Sequence, residues 1–251
     1  MYPRIFLTSS FYIPTYALLV SLAIVTAVVL AYFECRRYGL PMHLFPPGAF
    51  WTVLGGMIGG KIFEIIFFEW DYFLRDPLGT LTSGGGWMYY GAEIGGAVGL
   101  LVFLAASRID VFRPIDIAGI VLLISHAIGR LGCFLAGCCY GIPTESWAGM
   151  MFPQTVCAVH PTQLYESIPL ALAFFIFWIN RRRFVIPGSV YAAYLLFYSP
   201  LRFAIEFYRD DAYTYGVLHL SPSQYIALAA FMIGLWLLWF ARRSHLQHQT
   251  A

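Results

Sequence analysis

The chain has 251 residues, 60% of them hydrophobic and 11% charged, with a net charge of +2 and a mean hydropathy of +0.71. Soluble domains carry about 25% charged residues, so this composition excludes an ordinary soluble domain as well as a disordered chain. The small net charge, with no long basic cluster, argues against nucleic-acid binding, which leaves an integral membrane protein.

Seven apolar stretches have about the twenty-residue length of a spanning helix, unlike the ~10-residue alternating segments of barrel strands. In chain order they run from Ile13 to Phe33, Gly48 to Phe68, Tyr90 to Ala106, Ile115 to Leu135, Leu164 to Ile179, Val190 to Phe207 and Tyr225 to Ala241. The first is too long for a signal-peptide core and is followed by Cys35-Arg36-Arg37 instead of a small-residue cleavage site, so it reads as a span. The expectation is an all-α polytopic fold with seven transmembrane helices in a single domain over residues 1–251, with 244–251 as a flexible tail. Nine of the fifteen basic residues follow spans one, three, five and seven, whereas Arg4, Arg75 and Arg209 lie on the other side. Cytoplasmic flanks carry the Lys/Arg excess, so the N-terminus is expected outside and the C-terminus in the cytoplasm.

The informative residues are those a lipid-embedded chain avoids. Lys61 and Glu64 fall in span two, Glu93 in span three, Arg130 in span four, Glu166 at the start of span five, and Arg202 with Glu206 in span six. Each costs roughly 2.5–3.5 kcal/mol near a helix centre, so they are expected to face one another or a wet cavity. Arg130, Glu166, Arg202 and Arg209 fall toward the outer ends of their spans, Glu93 near the outer start of its own and Lys61 mid-span, which predicts a chamber in the outer half of the bilayer. Arg202 and Glu206, four apart, share a helix face that Arg209 continues. Two readings follow. In one, Arg202 pairs with Glu206, and Arg130 and Lys61 snorkel or pair with Glu64 and Glu93. In the favoured one, the arginines hold an anion, for which the planar guanidinium fork suits a phosphate such as a phospholipid headgroup. Gly55 with Gly59 and Gly91 with Gly95 predict close packing of spans two and three, and Gly84-Gly85-Gly86 a hinge or a ligand approach at the outer start of span three.

The segments SGGGWMYYGAEIGG from Ser83, IGRLGCFLAGCCYG from Ile128, HPTQLYE from His160 and RFAIEFYRDDA from Arg202 resemble, in order, the bacterial prolipoprotein diacylglyceryl transferase family, and Ser221-Pro222-Ser223-Gln224 fits as well. The resemblance covers essentially the whole chain. It implies a seven-helix enzyme of the bacterial plasma (inner) membrane, with its active site toward the outer face. Such an enzyme moves the diacylglyceryl group of phosphatidylglycerol to the lipobox cysteine of a prolipoprotein signal peptide, making a thioether and releasing glycerol phosphate. Arg130 matches the arginine of the family's G-R-x-G-N-F signature. Arg202, Glu206 and Arg209 match its span-six set, Tyr16 a tyrosine of span one, Gly141 a downstream glycine, and His160, Gln163, Tyr165 and Glu166 its HPxQLYE motif. The chain departs from the pattern in carrying Cys133 for the signature Asn, Ala136-Gly137-Cys138 for Asn-x-Glu, and Tyr90 for a histidine at the outer start of span three.

On that footing Arg130, Arg202, Glu206 and Tyr90 are the expected catalytic residues. Arg209, Tyr16, Lys61, Cys133, Gly141, His160, Gln163, Tyr165 and Glu166 are expected around the substrate. The chemistry needs a thiolate and stabilisation of a departing phosphate. Arg130 and Arg202 are read as the phosphate clamp, and Tyr90, Glu206 or His126 as the base. No metal or other cofactor is expected, and the partners are phosphatidylglycerol, the prolipoprotein and membrane lipids, with the enzyme a monomer. The alternatives are a non-catalytic lipid- or lipoprotein-binding homologue and a transferase acting on a different thiol. Among the cysteines, a bridge from Cys157 to Cys138 or Cys139 is expected on the outer face, where disulfides persist. A zinc site is disfavoured by the C-x4-C-C spacing, and Cys133 could itself be reactive.

Overall fold

The computed structural model describes residues 4–6, 12–83, 88–209 and 219–250; Gly84-Gly85-Gly86 and the last residues of the RFAIEFYRDDA segment lie outside these. The chain forms two compact units, Met1–Glu34 with Phe112–Ala251, and Cys35–Val111.

The larger unit opens with strands β1 (Arg4–Phe6) and β2 (Tyr12–Pro14), paired antiparallel with Ile5 opposite Ile13, a short ribbon that the all-α expectation did not include. It continues as helix α1 (Thr15–Arg37), whose last residues pass into the second unit. After the second unit come α6 (Phe112–Ala136), α7 (Thr162–Asn180), α8 (Ser189–Glu206) and α9 (Pro222–Thr250). Ile120 and Leu123 of α6, Leu170 and Phe174 of α7, Tyr194 and Leu195 of α8 and Leu237 of α9 form one core.

Polar groups fix the order of these helices. The Asp116 carboxylate of α6 accepts the N–H groups of Gly188, Val190 and Tyr191 at 2.8, 2.9 and 3.1 Å, satisfying the otherwise unpaired first turn of α8. The Ser167 hydroxyl of α7 donates to the Ala127 carbonyl of α6 at 2.9 Å, and Glu34 meets Arg181 at 3.2 Å where α1 and α7 end. The carboxyl ends of α6 and α8 and the amino ends of α1, α7 and α9 therefore share the opposite end of the unit.

The second unit begins its helical part with a 3-10 turn (Met42–Leu44) and α2 (Phe45–Glu64), then a π-helical turn (Ile65–Glu69), α3 (Trp70–Arg75), α4 (Pro77–Thr82) and α5 (Tyr89–Ala106). The helical path runs beyond the expected end at Phe68, the π turn absorbing an extra residue without breaking it. The expected glycine packing is present: a Cβ on Gly59 would strike the Gly91 carbonyl, and one on Gly55 the Gly95 carbonyl, so α2 and α5 meet backbone to backbone.

Among the described residues, six helical stretches are long and apolar enough to cross a membrane: Thr15–Arg37, Met42–Arg75, Tyr89–Ala106, Phe112–Ala136, Thr162–Asn180 and Pro222–Arg243. The protein is thus a helical, multi-pass membrane protein. Helix α8 lies where the sixth span is expected but is not among the six, because it carries Tyr191, Tyr194, Tyr198, Ser199, Arg202 and Glu206 in eighteen residues.

Candidate active site

In the larger unit the ionisable residues gather on two buried carboxylates. Glu166, in the first turns of α7 and 1% exposed, receives Arg130 Nε at 2.8 Å on Oε2. Its Oε1 accepts the Tyr198 hydroxyl at 2.6 Å and lies 3.2 Å from His126 Nε2. His126 and Arg130 are four apart on α6, as are Tyr198 and Arg202 on α8, so helical periodicity delivers each pair to one face. The His126 ring packs edge-on against Tyr198 with centroids 5.0 Å apart.

Glu206 is the second centre. Its Oε2 lies 2.6 Å from Arg202 Nη1 and 3.8 Å from Arg209 Nε, and its Oε1 accepts the Ser221 hydroxyl at 2.7 Å. Arg202, 4% exposed, also donates to Ser223 Oγ at 3.2 Å, so the Ser-Pro-Ser-Gln start of α9 closes this side. Three guanidinium groups stand on two carboxylates, and Arg202 is close enough to act electrostatically on Glu166 as well. The ion-pair reading of these charges thus holds in part: the Arg202–Glu206 pair forms, and Arg130 pairs with Glu166 where Glu64 or Glu93 was expected.

The HPTQLYE motif proves to hold a turn. Helix α6 ends with Gly137 in the left-handed region (φ +77°), where the N–H of Cys138 reaches the Cys133 carbonyl at 3.1 Å and that of Gly137 the Phe134 carbonyl at 3.2 Å. Cys139 is left-handed too (φ +63°), a conformation that disfavours a side chain. Two side chains at the start of α7 hold it: Gln163 Nε2 donates to the Cys138 carbonyl at 2.6 Å and Thr162 Oγ1 to the Cys139 carbonyl at 2.8 Å. The turn folds both thiols back on Cys133, and all three sulfur atoms lie within 4.8 Å of one another. Cys133 is buried and Cys138 reaches the surface. The Cys139 thiol is held below its ordinary value, chiefly by hydrogen bonds with the Cys133 and Cys138 thiols, with the Arg130 and Arg209 guanidiniums adding to this.

Beyond the turn, the Gly141 N–H donates to the His160 carbonyl at 2.8 Å, and a side chain at Gly141 would strike the Tyr208 carbonyl. Gly141 also bridges to Arg209, tying this loop to the end of α8. His160 Nδ1 is 2.9 Å from the Tyr165 hydroxyl, and its ring is edge-on to Tyr208. Tyr16 lies at the start of α1 beside Gly132, in electrostatic reach of Arg130 and the three thiols.

The cysteine bridge resolves differently. None of the five cysteines is in a disulfide, so the Cys157 bridge does not form; Cys138 and Cys139 are turned toward Cys133 instead. Lys61 and Tyr90 belong to the second unit. There Lys61 Nζ meets Glu69 at 3.2 Å and donates to Ser83 Oγ at 2.9 Å. Tyr90 lies in the first turn of α5 with its ring edge-on to Tyr89 at 6.0 Å. Tyr198, Thr162 and Ser223 entered no expected site set, although Tyr194, Tyr198, Arg202 and Glu206 form a polar stripe at spacing four that sequence inspection could have found.

Fold and site together define a membrane protein with a buried arginine–carboxylate centre at one end of a helix bundle. The prolipoprotein diacylglyceryl transferase family model matches residues 3–240, and the chain belongs to this family. A Clostridium tetani protein is 35% identical over 227 residues, covering 88% of this chain and 90% of its own length. One from Chlorobaculum tepidum is 34% identical over 250 residues, covering 93% and 86%. Both relatives bear the name phosphatidylglycerol–prolipoprotein diacylglyceryl transferase.

Proposed function

We propose that this enzyme transfers the diacylglyceryl group of phosphatidylglycerol to the lipobox cysteine of a prolipoprotein, releasing glycerol phosphate. The observation that carries the reading is the convergence of Arg130, Arg202 and Arg209 around Glu166 and Glu206 at one end of the helix bundle, guanidinium forks of the kind that suit a phosphate. The names of the relatives supply the substrate class.

The thiolate sulfur attacks the glyceryl carbon, the carbon–oxygen bond to phosphorus breaks, and the electron pair leaves on the phosphate. Arg130 and Arg202 neutralise that charge as it develops; donors fixed beforehand and shielded from water act most strongly here. Glu166 and Glu206 act as positioning residues that hold the two guanidiniums in place, and Arg209 serves the rim. Gly141, His160, Gln163 and Tyr165 shape the loop and the α7 start beside the phosphate, and Tyr16 borders it. In this reading α8 also spans, as the sixth of seven, and is enclosed by α6, α7 and α9. The N-terminus and the site face the outside of the bacterial inner membrane, and the C-terminus faces the cytoplasm.

The test is purified protein with phosphatidylglycerol and a lipobox peptide, followed by mass spectrometry. The peptide should gain one diacylglyceryl group, and Arg130→Ala and Arg202→Ala should abolish the gain. Full transfer by both variants would overturn the clamp, and no transfer by the wild type would overturn the activity.

A further inference from the structure

The arginine–carboxylate network uses none of the thiols at the end of α6. Cys133, Cys138 and Cys139 are the group among the described residues whose soft donor atoms converge, each sulfur within 4.8 Å of the other two. A tetrahedral ion with metal–sulfur bonds of about 2.3 Å sets its sulfurs about 3.8 Å apart, so closure needs at most about 1 Å of movement. Rotation of the exposed Cys138 side chain can supply much of it. The backbone is already committed: Gly137 and Cys139 are both left-handed, and Gln163 and Thr162 pin the two carbonyls. A strained residue held from outside by side-chain bonds signals a function for the turn beyond ending a helix.

Donor type and charge select the ligand. Three sulfurs with no hard oxygen donor suit a thiophilic ion, and three protein ligands leave the fourth position of a tetrahedral ion open, as in catalytic sites. Three thiolates on a divalent ion carry one net negative charge, and the Arg130 and Arg209 guanidiniums stand close enough to Cys139 to act on it electrostatically. Cys133 lies three residues after Arg130 on α6, and Gln163 three before Glu166 on α7, so the thiols and the anion site share one pair of helices.

We propose that Cys133, Cys138 and Cys139 bind one divalent ion of the zinc type, and that its open position takes the acceptor thiol. The second half of this proposal rests on the transferase reading; the first does not. A thiol bound to such an ion gives up its proton, here to water, and is presented as thiolate. Its sulfur then forms the carbon–sulfur bond at the glyceryl carbon, while the carbon–oxygen bond breaks and the pair departs on the phosphate.

The experiment uses the full chain in detergent, reduced and stripped of metal, and titrated with cobalt(II). A thiolate-to-cobalt charge-transfer band should grow to one equivalent and vanish when zinc is added. Cys133→Ser, Cys138→Ser and Cys139→Ser should each weaken cobalt binding by more than the ~10-fold cost of a second-shell change, and Cys157→Ser should leave it intact. Far-UV circular dichroism checks that the variants fold, and zinc competition against a chromophoric chelator on the wild type gives a measure independent of them. No band, or a band that survives the triple serine variant, overturns the site. Adding the lipobox peptide should shift the band, and its serine counterpart should not; a band insensitive to the cysteine peptide overturns the open position. Transfer should fall on chelation and return with zinc, so undiminished transfer by metal-free enzyme overturns the role in the reaction. If no preparation lipidates the peptide, the transferase reading fails while the cobalt band still decides the metal site.

Discussion

Glu166→Gln removes one charge and little else: the side chain keeps its size and still accepts from Tyr198. What changes is the partner of Arg130, whose Nε lies 2.8 Å from the carboxylate. At an effective dielectric of about 20 that separation gives a Coulomb attraction of about 6 kcal/mol. Part of it offsets the desolvation of both groups, and removing one partner of a buried pair costs about 3–5 kcal/mol because the other stays charged in a dry site. The folded-to-unfolded ratio should thus fall by about a hundredfold to a few thousandfold. The assay is titration with sodium dodecyl sulfate from mixed micelles, with helix content followed by circular dichroism. Adding Arg130→Met should recover at least half of the loss, since no orphaned charge remains. A loss below about 1 kcal/mol, typical of an exposed pair, or strict additivity in the double variant would refute the buried-pair argument.

Arg202→Lys should lower peptide lipidation by about a hundredfold or more with helix content unchanged, because a single ammonium cannot reproduce the fork that reaches both Glu206 and Ser223; transfer within threefold of wild type would refute this. Gly59→Leu should force α2 and α5 apart at the Gly91 carbonyl and cost about 1–3 kcal/mol, seen as faster proteolysis of the second unit. Asp116→Asn should cost about 1–3 kcal/mol in the same detergent titration, because one amide oxygen replaces the two that accept from Gly188, Val190 and Tyr191; an unchanged midpoint would refute the cap.

Local features of this fold were legible in the sequence, and pairings across helices were not. Stretches of about twenty apolar residues located the membrane helices, and the small-residue spacing from Gly55 to Gly59 announced the α2–α5 contact. The Arg202–Glu206 pair followed from helical periodicity alone. Arg130 had three candidate carboxylates within spans two, three and five, and nothing local to the chain distinguishes Glu166 from Glu64 or Glu93. That choice is made by how α6 and α7 pack, with Ser167 on the Ala127 carbonyl. The cysteine turn was hidden for a related reason. Linear spacing treats C-x4-C-C as a poor metal pattern, but a helix ending in two left-handed residues reverses direction and brings a sulfur five positions on back to the helix it left.

The charge pairing also sets an order of assembly. Arg130 leaves the ribosome before Glu166, and Arg202 before Ser221 and Ser223, so α6 and α8 each emerge ahead of the helix that completes their polar contacts. Arg202 and Glu206 travel together on α8 and largely neutralise each other on arrival, whereas Arg130 arrives alone, at a cost of roughly 2.5–3.5 kcal/mol if it entered lipid by itself. Insertion is therefore cheapest when the translocon releases α6 with α7 as a hairpin and, in the seven-span reading proposed above, α8 with α9.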